Sequence, residues 1–221
     1  MSTPMAKQPN HQPTLTLHQV DCMDYLAQQP DDAFDLAIVD PPYGIKGLKK
    51  IKSPTSRIRR YGQLHTVNDL KPGPDYFNLL FAKTRHQIIW GYNHLSDLLP
   101  STTEFIFWHK HQPVPTYADG ELAWTSFNKT AKCFSHQYSG ALGADPVRIH
   151  PTQKPIRLYQ WLLETYAKPG QRILDTHLGS GSSAIAAHYY GCEFVGCEQH
   201  PHYFAAAQQR IEQETRQQAL F

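Results

Sequence analysis

Short apolar runs alternate with stretches of helical periodicity along most of the chain. Apolar runs bounded by turn residues predict strands, and apolar residues three and four positions apart predict helices. The predicted strands cover residues 15–20, 34–39, 87–90, 105–108, 172–174 and 194–197. The predicted helices cover residues 23–29, 75–86, 156–166, a segment ending near 190, and 203–217, while 123–138 has mixed strand-like character. This alternation predicts an α/β fold with a mostly parallel sheet and helices on both faces.

The strand predicted at 34–39 runs directly into Asp40-Pro41-Pro42-Tyr43, named here the Asp-Pro-Pro-Tyr turn. Two consecutive prolines continue neither a sheet ladder nor a helix, so these four residues are predicted to form a rigid extended turn. In open α/β sheets, ligands bind outside the carboxyl ends of the strands. The turn is therefore a candidate for chemistry, and a tight turn stabilised by an Asx hydrogen bond is the alternative interpretation.

A second candidate site follows the strand predicted at 172–174. Asp175 ends that strand, Gly179-Ser180-Gly181 precedes a helix, and Glu198 ends the next strand. The pattern is typical of a nucleotide-binding half, in which the final acid accepts hydrogen bonds from ribose hydroxyls. The third glycine of a dinucleotide fingerprint is missing, and Asp175 would repel a pyrophosphate but suits a ligand that carries an ammonium group. The pattern therefore favours S-adenosylmethionine over NAD, with a purely structural turn as the alternative.

Composition limits the remaining possibilities. A chain of 221 residues with 40% hydrophobic content predicts one globular domain with a substantial core. The first residues are polar and contain prolines, unlike a signal peptide, and no apolar stretch approaches membrane-spanning length. We therefore expect a cytoplasmic protein without a membrane partner, with a flexible N-terminal tail over residues 1–14.

The cysteines and histidines do not predict a metal site. Cys22, Cys133, Cys192 and Cys197 lack the CxxC spacing of zinc or redox sites, so free thiols are expected. Two His-x-His pairs, at 109–111 and 200–202, have no cysteine or carboxylate at ligand spacing. We expect these histidines to lie on the surface.

Basic residues cluster directly after the Asp-Pro-Pro-Tyr turn, although the net charge of the chain is only +2. The segment 46–60 contains no acidic residue, so it is predicted to contact nucleic-acid phosphates near the turn, or otherwise to be a solvated loop. The candidate DNA-binding residues are Lys46, Lys49, Lys50, Lys52, Arg57, Arg59 and Arg60.

The order of these motifs resembles that of a family of enzymes. Asp40-Pro41-Pro42-Tyr43, then His150-Pro151-Thr152-Gln153-Lys154-Pro155, then Asp175 with Gly179-Ser180-Gly181, and finally Glu198, are similar to the DNA amino-methyltransferases. The catalytic motif precedes the cofactor motif, as in the permuted (beta-type) group of N6-adenine and N4-cytosine enzymes. The segments 88–94, 107–110 and 121–124 resemble small phage or prophage members.

The resemblance implies a Rossmann-like methyltransferase sheet with circularly permuted motifs over residues 15–221. It implies a basic loop at about 46–70, a target-recognition insertion at about 113–148, and double-stranded DNA as the partner, and it leaves a homodimer open. Asp21 and Cys22 match the strand end near the cofactor's adenine, although Asp21 could equally cap a helix. The implied cofactor-binding residues are Asp21, Cys22, Asp40, Thr152, Lys154, Asp175, His177, Leu178, Gly179, Ser180, Gly181, Ser182, Glu198 and Gln199.

The chemistry expected of the Asp-Pro-Pro-Tyr turn is methylation of an exocyclic amino group. The lone pair of such a nitrogen is delocalised into the base, so two acceptors, the Asp40 carboxylate and the Pro41 carbonyl, would draw it toward tetrahedral geometry. Pro42 keeps the turn rigid, and Tyr43 would stack on a base flipped out of the duplex. Direct displacement then needs no covalent enzyme intermediate.

The sequence leaves several functions open. Asp at the first position of the turn favours adenine N6 by resemblance, while cytosine N4 and RNA amino groups are the alternative acceptors. The family's usual Asp-Pro-Phe stands here as Asp175-Thr176-His177. This departure suggests a further alternative, a non-catalytic nucleic-acid-binding protein with a decayed cofactor site.

Overall fold

Eight strands form one sheet in the computed structural model, which describes residues 13–45, 69–111, 118–138 and 148–216. Their order across the sheet is β1-β8-β7-β2-β3-β5-β4-β6, and within the described residues only β5 runs antiparallel to its neighbours. The strands are β1 Leu15–His18, β2 Phe34–Val39, β3 Thr84–Trp90, β4 Phe105–His109, β5 Gly120–Thr125, β6 Lys132–Ser135, β7 Arg172–Asp175 and β8 Glu193–Cys197.

Helices cover both faces of this sheet, as the alternating pattern predicted. Side chains of β2 alternate between the faces: Leu36 and Ile38 join one apolar cluster, and Ala37 and Val39 join the other. The first cluster includes residues of α4 Ile156–Tyr166, α5 Ser182–Tyr190 and α6 Pro201–Arg216; the second includes residues of α1 Cys22–Ala27, α2 Pro74–Lys83 and α3 Tyr92–Leu95.

The largest error of the sequence prediction lies at the junction of α2 and β3. The predicted helix 75–86 ends at Lys83 in the structure, and β3 begins at Thr84 rather than at Gln87. The Thr84 hydroxyl donates to the Leu80 carbonyl at 2.6 Å, which satisfies the last turn of the helix, while its backbone is already extended and pairs with Phe34. Pairing with β2 therefore ends the helix, a tertiary effect that local periodicity does not contain.

The segment with mixed strand-like character resolves into β5 and β6, which extend the sheet beyond β3. The helix stop predicted at Gly191 is confirmed, since Gly191 has a left-handed φ of 84° and caps α5. The other predicted elements are present with ends shifted by a few residues.

The structure also bears on the expectations about cysteines, metal sites and membrane-spanning helices, but not on those about the N-terminal tail and the basic loop. All four cysteines are free thiols. Across the described ranges, no cluster of three or more His, Cys, Asp or Glu side chains could hold a metal ion, and no helix is long and apolar enough to cross a bilayer. The N-terminal residues 1–12 and the segment 46–68, including all seven candidate DNA-binding residues, lie outside the described residues, as do 112–117, 139–147 and 217–221. The tail, the basic loop and the insertion therefore stay predictions.

Candidate active site

Three acidic side chains meet at the carboxyl ends of neighbouring strands. Asp40 follows β2, Asp175 ends β7 and Glu198 follows β8, and these strands are adjacent in the sheet. Parallel strands place all three ends at the same edge, where open α/β sheets bind ligands. The two candidate sites found in the sequence therefore form one region of the molecule.

Both oxygens of the Asp40 carboxylate have a partner. The Tyr43 hydroxyl donates to Oδ1, and the Lys154 ammonium donates to Oδ2. Lys154 lies two residues before α4, and its side chain is only 5% exposed. Since a buried ammonium needs a counter-charge, this pairing keeps a negative charge at the Asp-Pro-Pro-Tyr turn.

Lys154 also contacts a second carboxylate, which extends the pair into a network of four charges. Its Nζ lies 3.2 Å from Glu121 Oε2 on β5, and Glu121 Oε1 accepts from Lys110, which directly follows β4. Burial raises the pKa of Glu121, but Lys154 and Lys110 outweigh burial and lower the pKa to about 2. Burial lowers the pKa of Lys154, yet Asp40 and Glu121 together raise it above its ordinary value. Glu121 and Lys154 are therefore both ionised at neutral pH. We name the four side chains of Asp40, Lys154, Glu121 and Lys110 the charge network.

The Tyr43 ring is fixed by close neighbours. It stacks on His94 with ring centroids 5.3 Å apart and planes inclined by 16°. A Cβ added to Gly91 would lie 2.1 Å from Tyr43 Cε1, so only glycine fits there, and its φ of +81° also favours glycine. Because His94 takes one face of the ring, a base stacked on Tyr43 would need the other face or would have to displace His94.

An open cleft lies between the ends of β1, β7 and β8. We name it the acidic cleft, because Asp21 and Glu198 line it together with Val20, Cys22, Thr176, His177, Cys197 and Gln199. Glu198 accepts hydrogen bonds from the backbone N–H groups of Gly179 at 3.0 Å and His200 at 2.8 Å. Asp21 accepts from Met23 N at 2.8 Å, so it caps α1 and also lines the cleft.

Asp175 is buried beside the acidic cleft, and no lysine or arginine of the described residues pairs with it. Its oxygens accept from the Ser183 hydroxyl at 2.6 Å and from the backbone N–H of His177 at 3.0 Å. Burial is the largest influence, and it raises the pKa of Asp175 to about 7 despite these hydrogen bonds. Burial lowers the pKa of His177 to about 4, so this imidazole is neutral at physiological pH.

The glycine turn that precedes α5 is held from behind. Arg210 of α6 donates to the Ser180 carbonyl at 2.8 Å and to the Ser182 hydroxyl at 2.9 Å. The Leu178 N–H donates to the Cys197 carbonyl at 2.9 Å, which ties the turn to β8. The Ser180 hydroxyl in turn bonds the Ser182 hydroxyl at 3.2 Å, so both serine side chains have partners within the fold. The backbone of the turn faces Glu198 through Gly179.

Comparison with known proteins assigns this region to a family. The chain matches the N6/N4 family described as "DNA methylase" over residues 75–209, more than half of its length. The protein belongs to this DNA methylase family. It is 26% identical over 207 residues, 87% of this chain and 88% of the other, to YubD of Escherichia coli strain K12, whose name describes it as a methylase.

Solved structures show the same fold at lower sequence identity. The M1.HpyAVI–SAM complex is 20% identical with a TM-score of 0.60, covering 89% of this chain and 100% of that one. The cytosine-N4-specific PvuII DNA methyltransferase is 15% identical with a TM-score of 0.58, covering 94% of each chain. The protein therefore has the Rossmann-like methyltransferase fold that the sequence predicted.

This DNA methylase domain brings together several of the residues that the sequence singled out. Among the predicted cofactor residues, Asp21, Cys22, His177, Glu198 and Gln199 line the acidic cleft, and Asp175 adjoins it through His177. Lys154 lies at Asp40 instead. Thr152 bonds the His150 imidazole at 3.1 Å, and burial lowers the pKa of that imidazole to about 3.

Sequence reasoning missed several residues of the site. Glu121 and Lys110 lie in segments that the sequence analysis noted only for their resemblance to other family members. Glu121 contacts Lys154, and Lys110 contacts Glu121, because β4 and β5 join the sheet beside β3. Val20 and Cys197 line the acidic cleft because they lie at the ends of β1 and β8. The sequence did contain a signal for these two residues: each is next to a predicted site residue, Asp21 or Glu198. Neighbouring residues at the end of a strand lie at the same edge of the sheet.

Proposed function

We propose that this DNA methylase transfers a methyl group from S-adenosylmethionine to the N6 amino group of adenine in double-stranded DNA. The observation that carries the proposal is the Asp40 carboxylate of the Asp-Pro-Pro-Tyr turn, paired with the buried Lys154 at the same sheet edge as the acidic cleft. A hydrogen-bond acceptor on a rigid turn beside a ligand cleft suits transfer to an amino group.

The charge of the acidic cleft supports S-adenosylmethionine as the cofactor. Glu198 retains free lone pairs for ribose hydroxyls, and Asp175 supplies a carboxylate for a cationic ligand. Among the described residues that line the cleft there is no lysine or arginine, so the phosphates of a dinucleotide would meet carboxylates alone. The cofactor supplies an electrophilic methyl group on a sulfonium, and its positive charge is favoured at this edge.

The Asp-Pro-Pro-Tyr turn would act on the acceptor nitrogen. Asp40 and the Pro41 carbonyl each accept one amino hydrogen, which directs the nitrogen lone pair toward the methyl carbon. S-adenosylmethionine would supply the methyl group, its C–S bond breaking as the N–C bond forms and S-adenosylhomocysteine leaving, and the surplus proton of the nitrogen would pass to solvent water. Asp40 offsets the positive charge that develops on the nitrogen during this step.

Adenine is favoured over cytosine by the resemblance of the turn, whose first residue is Asp40. The likeness to the cytosine-N4-specific PvuII enzyme keeps N4 of cytosine as the second candidate, because the two reactions need the same acceptors. We propose that the base is flipped into the site, that 46–60 contacts the flanking phosphates, and that part of 113–148 reads the sequence. The motif order agrees with the permuted group.

The test is methylation of unmethylated mixed-sequence DNA with labelled S-adenosylmethionine, followed by mass analysis of the nucleosides. Wild-type protein is expected to form N6-methyladenine, and Asp40→Asn to lower the rate about a thousandfold, because the charged acceptor is lost while its volume is kept. Asp31→Asn is the matched control, since Asp31 pairs with Lys83 at 2.7 Å before β2, at the opposite end of that strand.

Each other outcome points elsewhere. N4-methylcytosine would keep the mechanism and overturn the base. Methylation of RNA alone would overturn DNA as the substrate. Failure to bind S-adenosylhomocysteine in a calorimetric titration, even with DNA present, would favour a non-catalytic binding protein.

A further inference from the structure

We propose that Glu121 is a positioning residue for methyl transfer: it shares the Lys154 ammonium with Asp40, so that Asp40 stays available to the substrate amino group. The inference rests on the proposed function. Its basis is the contact of one buried ammonium with two carboxylates, at Asp40 Oδ2 and, 3.2 Å away, at Glu121 Oε2.

An unshared pair between Asp40 and Lys154 would oppose catalysis. An ammonium is the strongest donor that a carboxylate oxygen meets in a protein, and the pair is more strongly coupled when it is buried. The substrate amino group would then compete with Lys154 for Oδ2, while Tyr43 already occupies Oδ1. Glu121 attracts the same ammonium through an ion-pair contact at 3.2 Å, which weakens the hold of Lys154 on Asp40 and leaves Asp40 a better acceptor.

Lys110 supplies a second positive charge to Glu121. Trp108 of β4 is the register partner of Glu121, and Lys110 two residues later pairs with Glu121 and lies 4.7 Å from the Trp108 ring centroid. The charge network therefore carries two positive and two negative charges. Removing Glu121 or Lys110 changes the potential at Asp40 with opposite signs, which no loss of packing would reproduce.

Other titratable groups also face Asp40. Burial, aided by the Asp40 charge, raises the pKa values of Tyr43 and Tyr159 well above the ordinary value, so both phenols are neutral at physiological pH. Asp175 has a pKa of about 7 and adjoins the acidic cleft. The turnover number kcat at saturating cofactor is the suitable readout, because the cofactor is then bound beside Asp175 and ionisations of the free enzyme affect kcat/KM instead.

The experiment compares pH profiles of kcat for wild type, Glu121→Gln and Lys110→Gln, with saturating S-adenosylmethionine and unmethylated DNA. Glu121→Gln is expected to lower kcat about tenfold and to move the acidic limb about one pH unit lower, because the unshared ammonium favours the ionised carboxylate. Lys110→Gln is expected to move the same limb higher, because one positive charge is lost.

Two controls separate positioning from structure. Glu121→Asp keeps the charge and should retain the wild-type limb. Lys129 lies outside the charge network, with its Nζ 5.9 Å from the Phe127 ring centroid. Lys129→Gln removes this positive charge and should also leave the acidic limb of the pH profile in place. Its kcat should stay at the wild-type value.

The outcomes distinguish the two levels of the proposal. If the wild type methylates DNA and both substitutions leave the limb unmoved, or move it in the same direction, the role of Glu121 is wrong while the proposed function stands. If the wild type transfers no methyl group, the proposed function itself fails. Should Glu121→Gln not fold, Lys110→Gln decides alone, and an unmoved limb contradicts the inference.

Discussion

The Asp-Pro-Pro-Tyr turn and the acidic cleft lie at one edge of the sheet, yet their carboxylates are stabilised differently. Asp40 faces a buried ammonium within the charge network. Among the described residues, the hydrogen-bond donors to Asp175 and Glu198 are neutral: backbone N–H groups and the Ser183 hydroxyl. Burial accordingly raises the pKa of Asp175 to about 7 and also raises the pKa of Glu198, whereas the pKa of Glu121 is lowered to about 2.

The difference fits what each site would bind. A carboxylate accepts an amino hydrogen more strongly when it is ionised, and a neighbouring cation favours the ionised form. A cleft binds a cationic cofactor more tightly if its carboxylates have no cation of the protein beside them, because the ligand then supplies the positive charge. Strands β2 and β7 are adjacent, so both environments exist within one edge of the sheet.

Removing the resident cation should have the largest effect on this contrast. Lys154→Met leaves Asp40 and Glu121 without their shared partner and is expected to lower the free energy of unfolding by about 3 kcal/mol. Methyl transfer should fall about a thousandfold, because the charged acceptor is no longer held. Urea unfolding and the labelled-methyl assay measure the two effects.

The matched substitution for stability is Lys83→Met, which removes a lysine paired with the exposed Asp31. Its cost should be about 0.5 kcal/mol, since surface pairs contribute little. Equal costs for the two lysines would remove the distinction between the buried charge network and an ordinary surface pair.

A smaller effect is expected from displacing the Tyr43 ring. Gly91→Ala would place a methyl group where that ring lies, so transfer should fall about a hundredfold through misplacement of the turn. Gly170→Ala is the control: its φ of +84° gives the same backbone strain, but nothing lies within 4 Å of the added atom.

Gly170→Ala should therefore lose about 1 kcal/mol of stability through backbone strain alone. Gly91→Ala should lose more, because the added methyl group also overlaps the Tyr43 ring, and only Gly91→Ala should lose activity. Thermal unfolding and the labelled-methyl assay test this pair. A comparable loss of activity in Gly170→Ala would mean that strain, rather than the position of Tyr43, is responsible.

The smallest expected effect concerns the pH dependence of cofactor binding. Asp175 is mostly protonated below pH 7 and ionised above it, so affinity for S-adenosylhomocysteine, which carries an ammonium group, should rise as pH increases from 6 to 8. The rise should be at most about tenfold, one proton being released. His177 and His150 have pKa values of about 4 and 3, so they stay neutral over this interval.

Asp175→Asn should flatten that dependence, and calorimetric titrations at the two pH values measure it. A variant with the wild-type slope would show that another group, with Glu198 the first candidate, controls binding. The charge of Asp175 would then not depend on the bound ligand, and the contrast between the acidic cleft and the Asp-Pro-Pro-Tyr turn would be lost.

Particular residues show how far local sequence reached. Pro41 and Pro42 can form only an extended turn after β2, and Gly191 ends α5, so both features follow from local backbone restrictions. The helix predicted from the sequence at α2 is too long, because Thr84 pairs with Phe34 of β2, a residue far away in the sequence. The roles of Ser180 and Ser182 were likewise incomplete, because Arg210 reaches them from a helix 28 to 30 residues later.

Local sequence accounts for the alternation of strands and helices, the two motif-bearing strand ends and the chemical character of the side chains there. These follow from periodicity and from proline and glycine, which act within a few residues. Which charges come into contact depends instead on the assembled sheet. Asp40, Lys110, Glu121 and Lys154 come from separate elements, and the pKa values of Glu121 and Lys154 depend on burial and on distances that exist only after the sheet has formed.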